Sequence, residues 1–193
     1  MIYRRDGFEL EIIECESVYR PSDDSFLLAD SFVPSGSVIE MGCGTGLSAV
    51  LSSKMGHETA AVDINPAAVR CTERNADLNS VHVRTYHSDL FSSVQGSYDT
   101  ILFNPPYLPV DEDIEGSEQW AGGEDGFRVV RRFLDMLPSH MRPSGNCYIV
   151  LSDLADTDLI ISQYPQYVFS AVSSRKMFFE EITLYRISMR NNP

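Results

Sequence analysis

Basic residues are scarce in this chain: Lys and Arg number 15 against 28 Asp and Glu, a formal charge of −13 over 193 residues. Nucleic-acid affinity comes largely from Lys and Arg neutralising phosphates, so this balance argues against DNA or RNA as main substrate and towards a protein or small-molecule partner. The four cysteines, Cys15, Cys43, Cys71 and Cys147, lie far apart, with no C-x-x-C pair and no Cys/His group at metal-ligand spacing. They read as buried, reduced thiols, and no metal site is expected. Long apolar runs are missing too. Nothing approaches the ~20 apolar residues of a membrane helix, and Met1-Ile2-Tyr3-Arg4-Arg5-Asp6-Gly7 lacks the apolar core of a signal peptide. The expected compartment is the cytosol, with the nucleus as a second. What is present, 43% hydrophobic and 22% charged residues, suffices for a packed core, and the length fits one domain over 1–193.

From about Ser37, apolar segments rich in β-branched residues alternate with helix-like segments, the pattern of βα units building a mostly parallel sheet. Strands are expected near 37–42, 58–63, 81–86, 98–103, 146–152, 166–173 and 178–188. Leu47 to Met55 reads as a helix closed by Gly56. Asn65-Pro66 opens another, with Asn as N-cap and Pro at the first helical position, where its missing N–H is no loss. Phe127, Val130, Phe133, Leu134, Leu137 and Met141 keep helical spacing, which turns Arg128, Arg131 and Arg132 to solvent, and Pro138 and Pro143 mark the end. Ser22-Asp23-Asp24-Ser25 reads as a helix start inside the lead-in 1–36. The stretch from Leu108 to Gly126 has no periodicity, and a loop of that length usually has a function.

Chemistry is concentrated at the strand ends. Glu40-Met41-Gly42-Cys43-Gly44-Thr45-Gly46 joins a strand to a helix, with glycines where a ligand can approach the backbone. Its G-x-G-x-G spacing departs from the pyrophosphate motif, and Glu40 would repel a pyrophosphate but can pair with the ammonium of an amino acid. Asp63, ending the next strand, can accept both ribose hydroxyls of an adenosine. Asp89 is placed for an adenine amine, with Leu90 offering a backbone N–H and an apolar contact. Read singly, each has a plain alternative: a tight turn, an N-cap, a loop carboxylate. Asn104-Pro105-Pro106-Tyr107 follows the fourth strand. A planar amide or an adenine amine attacks poorly unless both its N–H bonds are held by acceptors while the lone pair faces an electrophile. The Asn104 side-chain oxygen and the Pro105 carbonyl can be those acceptors, the prolines stiffen the turn, and Tyr107 offers a stacking face.

Together these residues resemble a Rossmann-like S-adenosylmethionine-dependent methyltransferase of the N-P-P-Y type. Val18-Tyr19-Arg20-Pro21-Ser22-Asp23-Asp24-Ser25-Phe26-Leu27-Leu28 and Trp120-Ala121-Gly122-Gly123-Glu124-Asp125-Gly126 narrow the resemblance to the HemK-like release-factor glutamine methyltransferases, in the short branch of eukaryotes and archaea. The resemblance implies a seven-stranded, mostly parallel sheet with one antiparallel strand and helices on both faces. It implies cofactor contacts from Tyr19, Pro21, Ser25, Glu40, Gly42, Gly44, Gly46, Asp63, Ile64, Asp89, Leu90 and Asn104. Catalysis would fall to Asn104, Pro105 and Tyr107, and substrate contacts to these with Pro106 and Trp120. The implied reaction methylates the side-chain amide of the glutamine in the Gly-Gly-Gln motif of a class I release factor. The short branch works with a small zinc-binding activator subunit, for which Val81 to Tyr86 offers an edge strand. Bacterial members carry a helical recognition domain ahead of this fold, and the lead-in here leaves no room for one.

Three other readings compete: a protein lysine or N6-adenine methyltransferase, an inactive cofactor-binding scaffold, and a nucleotide-dependent oxidoreductase. The missing basic groove disfavours adenine in nucleic acid. The intact N-P-P-Y turn counts against the scaffold, and Glu40 with the glycine spacing against the oxidoreductase. His57, His82, His87 and His140 are scattered, and none is assigned a role.

Overall fold

The computed structural model describes residues 1–106 and 127–190. Its order is β1 (Ile2–Arg5), β2 (Phe8–Glu11), α1 (Asp23–Ser31), β3 (Val38–Met41), α2 (Leu47–Lys54), β4 (Thr59–Asp63), α3 (Pro66–Leu78), β5 (Val83–His87), β6 (Tyr98–Phe103), α4 (Arg128–His140), β7 (Met141–Ser152), α5 (Thr157–Gln163), β8 (Tyr167–Lys176) and β9 (Glu181–Met189). The seven main strands lie in the order β5-β4-β3-β6-β7-β9-β8. All neighbours are parallel except β9, which runs antiparallel to both β7 and β8. The seven-stranded α/β architecture expected from the sequence is therefore present.

Side chains alternate across the sheet, so each strand feeds two cores. On one face Ile39, Ile101 and Ile149 pack with Val130, Phe133, Leu134 and Leu137 of α4. On the other Val38, Leu102 and Val150 meet Leu27 and Leu28 of α1 and Val50 and Leu51 of α2. Leading strands end on one side of the sheet, at Met41, Asp63 and Phe103, and the loops that follow share that end.

Three expectations are corrected. Pro138 does not end α4, which continues to His140. The carbonyl that proline leaves without a helical N–H is that of Leu134, and the Tyr167 hydroxyl donates to it at 2.8 Å. Pro143 stands inside β7, where the pairing with β6 jumps from Tyr98–Met141 to Thr100–Asn146 and needs no donor from proline. The third correction concerns the thiols: Cys15 and Cys71 form a disulfide with Cα atoms 6.0 Å apart, leaving Cys43 and Cys147 buried and free. Their separation of 56 residues hid the pairing. The cause is a pair of asparagines one turn apart, Asn75 in α3 and Asn79 at its C-cap. Asn75 accepts from the Ile13 N–H at 2.8 Å and donates to its carbonyl at 3.0 Å, while Asn79 does the same for Glu11 at 2.9 and 2.8 Å. These bonds lay residues 11–15 along the helix and bring Cys15 to Cys71.

The lead-in also holds an unexpected hairpin. β1 and β2 pair around Asp6-Gly7, both at positive φ (50° and 83°), the turn that an Asp-Gly pair favours. Helix α5 was likewise unexpected. Asp156 caps it, accepting from the Leu159 N–H.

Candidate active site

At the shared ends of the strands lies a cavity of about 350 Å³, within the range of small-molecule sites. Of the residues named from the sequence, Tyr19, Pro21, Ser25, Glu40, Gly42, Gly44, Asp63, Ile64, Asp89, Leu90, Asn104, Pro105 and Pro106 all line it. Gly46 does not. It is the N-cap of α2 at φ +77°, and a Cβ there would lie 2.5 Å from Thr72. Its role is close packing of the turn on α3. Tyr107, Trp120 and the loop to Gly126 lie outside the described residues.

The glycine-rich turn is held from three sides. The Gly44 N–H donates to Asp63 Oδ2 at 3.0 Å, the Thr72 hydroxyl donates to the Gly44 carbonyl at 3.2 Å, and Asn75 Nδ2 donates to the Thr45 carbonyl at 2.8 Å. Asp63 also accepts from the Asn65 N–H at 2.8 Å. Burial raises the Asp63 carboxyl above its ordinary range, against the hydrogen bonds of the Gly44 and Asn65 N–H groups. Glu40 sits at the positive end of α2 and accepts from the Ala49 N–H at 2.8 Å. Burial nevertheless pushes its carboxyl up to about 8, opposed by bonds from Ala49 and Ser48 and reinforced by the Asp63 charge. A carboxyl so placed gains most from a cationic partner.

Asp89 pairs with Arg132 of α4 at 2.7 Å, and Arg128, one turn earlier, lines the same wall. These arginines were expected merely to face solvent; spacing of four puts both on the cavity side of α4. Leu90 adopts φ +49°, a costly conformation for a branched side chain, with the Ser88 hydroxyl donating to its carbonyl at 2.7 Å.

Asp24 was not singled out from the sequence. Its carboxylate is 4% exposed and accepts from Tyr19 Oη at 2.8 Å, Ser22 Oγ at 2.9 Å and the Ser25 N–H at 2.6 Å. It also binds the Asn104 side chain, which must donate through Nδ2, because a carboxylate only accepts. Burial works to raise the Asp24 carboxyl, but these bonds, Asn104's first, hold it below the ordinary range. The consequence falls on Asn104. With Nδ2 committed to Asp24, Oδ1 is fixed on the other side, and among the described residues it is the one buried side-chain oxygen or nitrogen without a hydrogen-bond partner. A buried acceptor without a donor costs about 1–3 kcal/mol, which a ligand N–H would recover.

The donor set fits S-adenosylmethionine. Four carboxylates, Asp24, Glu40, Asp63 and Asp89, suit a ligand with cationic groups and a ribose, the glycine turn admits it closely, and none of this suits a pyrophosphate. Cys43, beside Glu40 and Asp63, has its thiol raised well above the ordinary range by burial and those charges, which rules it out as a thiolate nucleophile. No histidine among the described residues lines the cavity, and none of the described His, Cys, Asp or Glu groups could hold a metal ion.

Residues 22–176 match the family described as Methyltransferase small domain. A Methanocaldococcus jannaschii protein, MJ0928, provisionally named a protein N5-glutamine methyltransferase, is 38% identical over 191 residues, 94% of this chain and 96% of that protein. Methyltransferase HEMK2 of Mus musculus is 35% identical over 151 residues, 69% of this chain and 71% of its own. Among solved structures the fold is shared with the E. cuniculi Mtq2–Trm112 complex, at TM-score 0.69 and 21% identity, covering 90% of this chain and 99% of that one. The Asn104 turn falls within the span of the family match. The chain belongs to the methyltransferase small-domain family, among the S-adenosylmethionine-dependent protein N5-glutamine methyltransferases.

Proposed function

We propose that this chain methylates the side-chain amide of the glutamine in the Gly-Gly-Gln motif of a class I translation release factor, as the catalytic subunit beside a small zinc-binding activator. The observation that carries the reading is the unsatisfied Asn104 Oδ1, aimed by Asp24. S-adenosylmethionine, when bound, supplies an electrophilic methyl group. Asn104 Oδ1 accepts one N–H of the glutamine amide and the Pro105 carbonyl the other, so the amide is held flat and its nitrogen presented to the methyl carbon. The N–C bond forms as the S–C bond breaks. The nitrogen's proton becomes acidic only once the methyl is attached and passes to water, so no tuned base is required. Accordingly no His or thiolate stands among the described residues of the cavity.

Two further observations support the partners. The E. cuniculi Mtq2–Trm112 complex of similar fold is responsible for methylating the eRF1 translation termination factor. Among the described residues β5 is an edge strand that pairs with β4 alone, and Arg84 on it is drawn back to Glu58 at 2.8 Å. An added strand from the activator would satisfy that edge. The −13 charge suits a basic protein surface.

The test incubates the chain with labelled S-adenosylmethionine and a release factor, with and without the activator, and with the Gly-Gly-Gln glutamine intact or replaced by alanine. Label that requires that glutamine is expected, and label indifferent to it defeats the substrate assignment. Asn104→Ala should lose most turnover, about 100-fold or more, while still binding S-adenosylhomocysteine.

A further inference from the structure

The hairpin joining β8 to β9 ends in two solvent-exposed aromatic side chains. Phe178 is 94% exposed and Phe179 86%, and their rings touch only edge to face at 5.1 Å. The Met177 N–H donates to the Glu180 carbonyl at 2.8 Å, so the phenylalanines occupy the two central positions of the turn. Such positions favour Gly, Asn or Asp, and neither Phe adopts the positive φ those residues serve. Turn chemistry therefore does not explain them, nor does packing. Met177, next in the chain to them and more than a third exposed, extends the apolar tip.

Its location gives the tip a meaning. β9 begins where β7 ends, with Ile182 opposite Ser152, so the hairpin rises at the sheet end that carries the cavity. Arg175, at the foot of the tip, pairs with Asp23 at 2.7 Å, the residue beside Asp24. Glu180 is near enough for its charge to act on the Tyr19 phenol, which lines the cavity. Counting strands and register, the tip stands about 10–15 Å to the side of β6 and about 20 Å beyond its end, so the two fit within the footprint of one standard protein interface. The surroundings are acidic. Asp153, Asp156, Asp158 and Glu181 line a second depression below the hairpin, and among the described residues its one ion-paired cation is Lys176, 3.7 Å from Glu181.

We propose that the Phe178–Phe179 tip and its acidic flank are a docking surface for the substrate protein, taking an apolar and basic patch beside the methylated glutamine. The surface supplies recognition that the cavity cannot, since the cavity reads only a cofactor and one side chain. This proposal rests on the functional reading above. Two aromatic anchors with carboxylates on one flank suit a basic protein and disfavour an anionic membrane.

The test compares the wild-type chain with the F178S/F179S double variant, activator present throughout, on two substrates: an intact class I release factor and a short peptide carrying Gly-Gly-Gln. The variant should raise KM for the intact factor about tenfold or more with kcat unchanged, and leave peptide kinetics and the circular-dichroism spectrum as in the wild type. An unchanged KM on the intact factor, or an equal loss on the peptide, overturns the docking surface while leaving the activity standing. Loss of binding to phosphatidylserine vesicles in the variant, with release-factor kinetics intact, overturns it in favour of a membrane contact. A wild-type chain that labels neither substrate overturns the functional reading, and the docking surface with it.

Discussion

Replacing Asp24 by Asn changes one atom and tests how the site is aimed. The Ser25 N–H at 2.6 Å holds the Oδ1 position as an acceptor, so the new NH2 takes the place of Oδ2, now beside Tyr19 Oη. Asn104 then loses its charged acceptor, and its carboxamide is free to turn over, presenting NH2 where the substrate needs an oxygen. A hydrogen bond to a charged group contributes about 1.5–3 kcal/mol, which at 1.36 kcal/mol per decade is a loss of roughly 10- to 150-fold in the methyl-transfer step. Single-turnover transfer from labelled S-adenosylmethionine measures it directly. Because Asp24 acts through Asn104, the two substitutions should not add: in the Asn104→Ala background, Asp24→Asn should cost little more. Equal losses in both backgrounds would show that Asp24 serves the cofactor or the fold and refute the positioning role. Asp24→Glu, which keeps the charge, should recover part of the rate.

Glu40 makes a prediction about pH. Its carboxyl, pushed up to about 8 by burial, holds a proton at pH 7 in the free chain. An ammonium partner stabilises the carboxylate, so binding expels that proton. Affinity for S-adenosylhomocysteine should rise from pH 6 towards 8, by up to about tenfold per unit, and flatten above. Calorimetry showing no slope in the wild type, or the same slope in Glu40→Gln, would sink the assignment. A carboxyl raised in the folded state costs stability as pH climbs from 4.5 through 8, so Glu40→Gln should melt higher than wild type at pH 8 without ligand. Gly46→Ala forces a Cβ to 2.5 Å from Thr72 at φ +77°. The two penalties together are about 3 kcal/mol, or roughly 6–12 °C in Tm, and an unchanged melting curve would contradict the packing. For the disulfide, iodoacetamide under denaturing conditions should label two of the four cysteines before reduction and four after; four before reduction would refute the bridge. Closing a loop of 56 residues should stabilise the fold by about 4 kcal/mol, read as the loss of denaturant midpoint on reduction.

The sheet was legible because its signals are local. Strand ends at Met41, Asp63 and Phe103 are each announced by an apolar run meeting a glycine, an Asn-Pro or an Asn-Pro-Pro, and the chemistry sits in those same few residues. What stayed hidden depends on distant partners. Pro138 signals a helix end unless another hydroxyl serves the Leu134 carbonyl, and the one that does, on Tyr167, comes from a strand 29 residues further on. The disulfide depends on two asparagines reaching back more than 60 residues to bind an extended backbone.

Asp24 lies between these cases. Asp23 and Asp24 look alike as a pair of acids in the first turn of a helix, where both suit the helix dipole. Helical spacing separates them. Asp24 shares its face with Leu27 and Leu28, three and four residues on, and all three are buried, whereas Asp23 turns outward to Arg175. A carboxylate on the apolar face of an amphipathic helix must have fixed donors within reach, because its burial is otherwise too costly. Composition cannot name those donors, but it does demand them. Tyr19, Ser22 and the Ser25 N–H from the same segment answer that demand, and Asn104 donates from elsewhere in the chain. That division explains why the acid is buried where it is. The local donors stabilise the charge, so the bond to Asn104 is free to set the direction of one carboxamide.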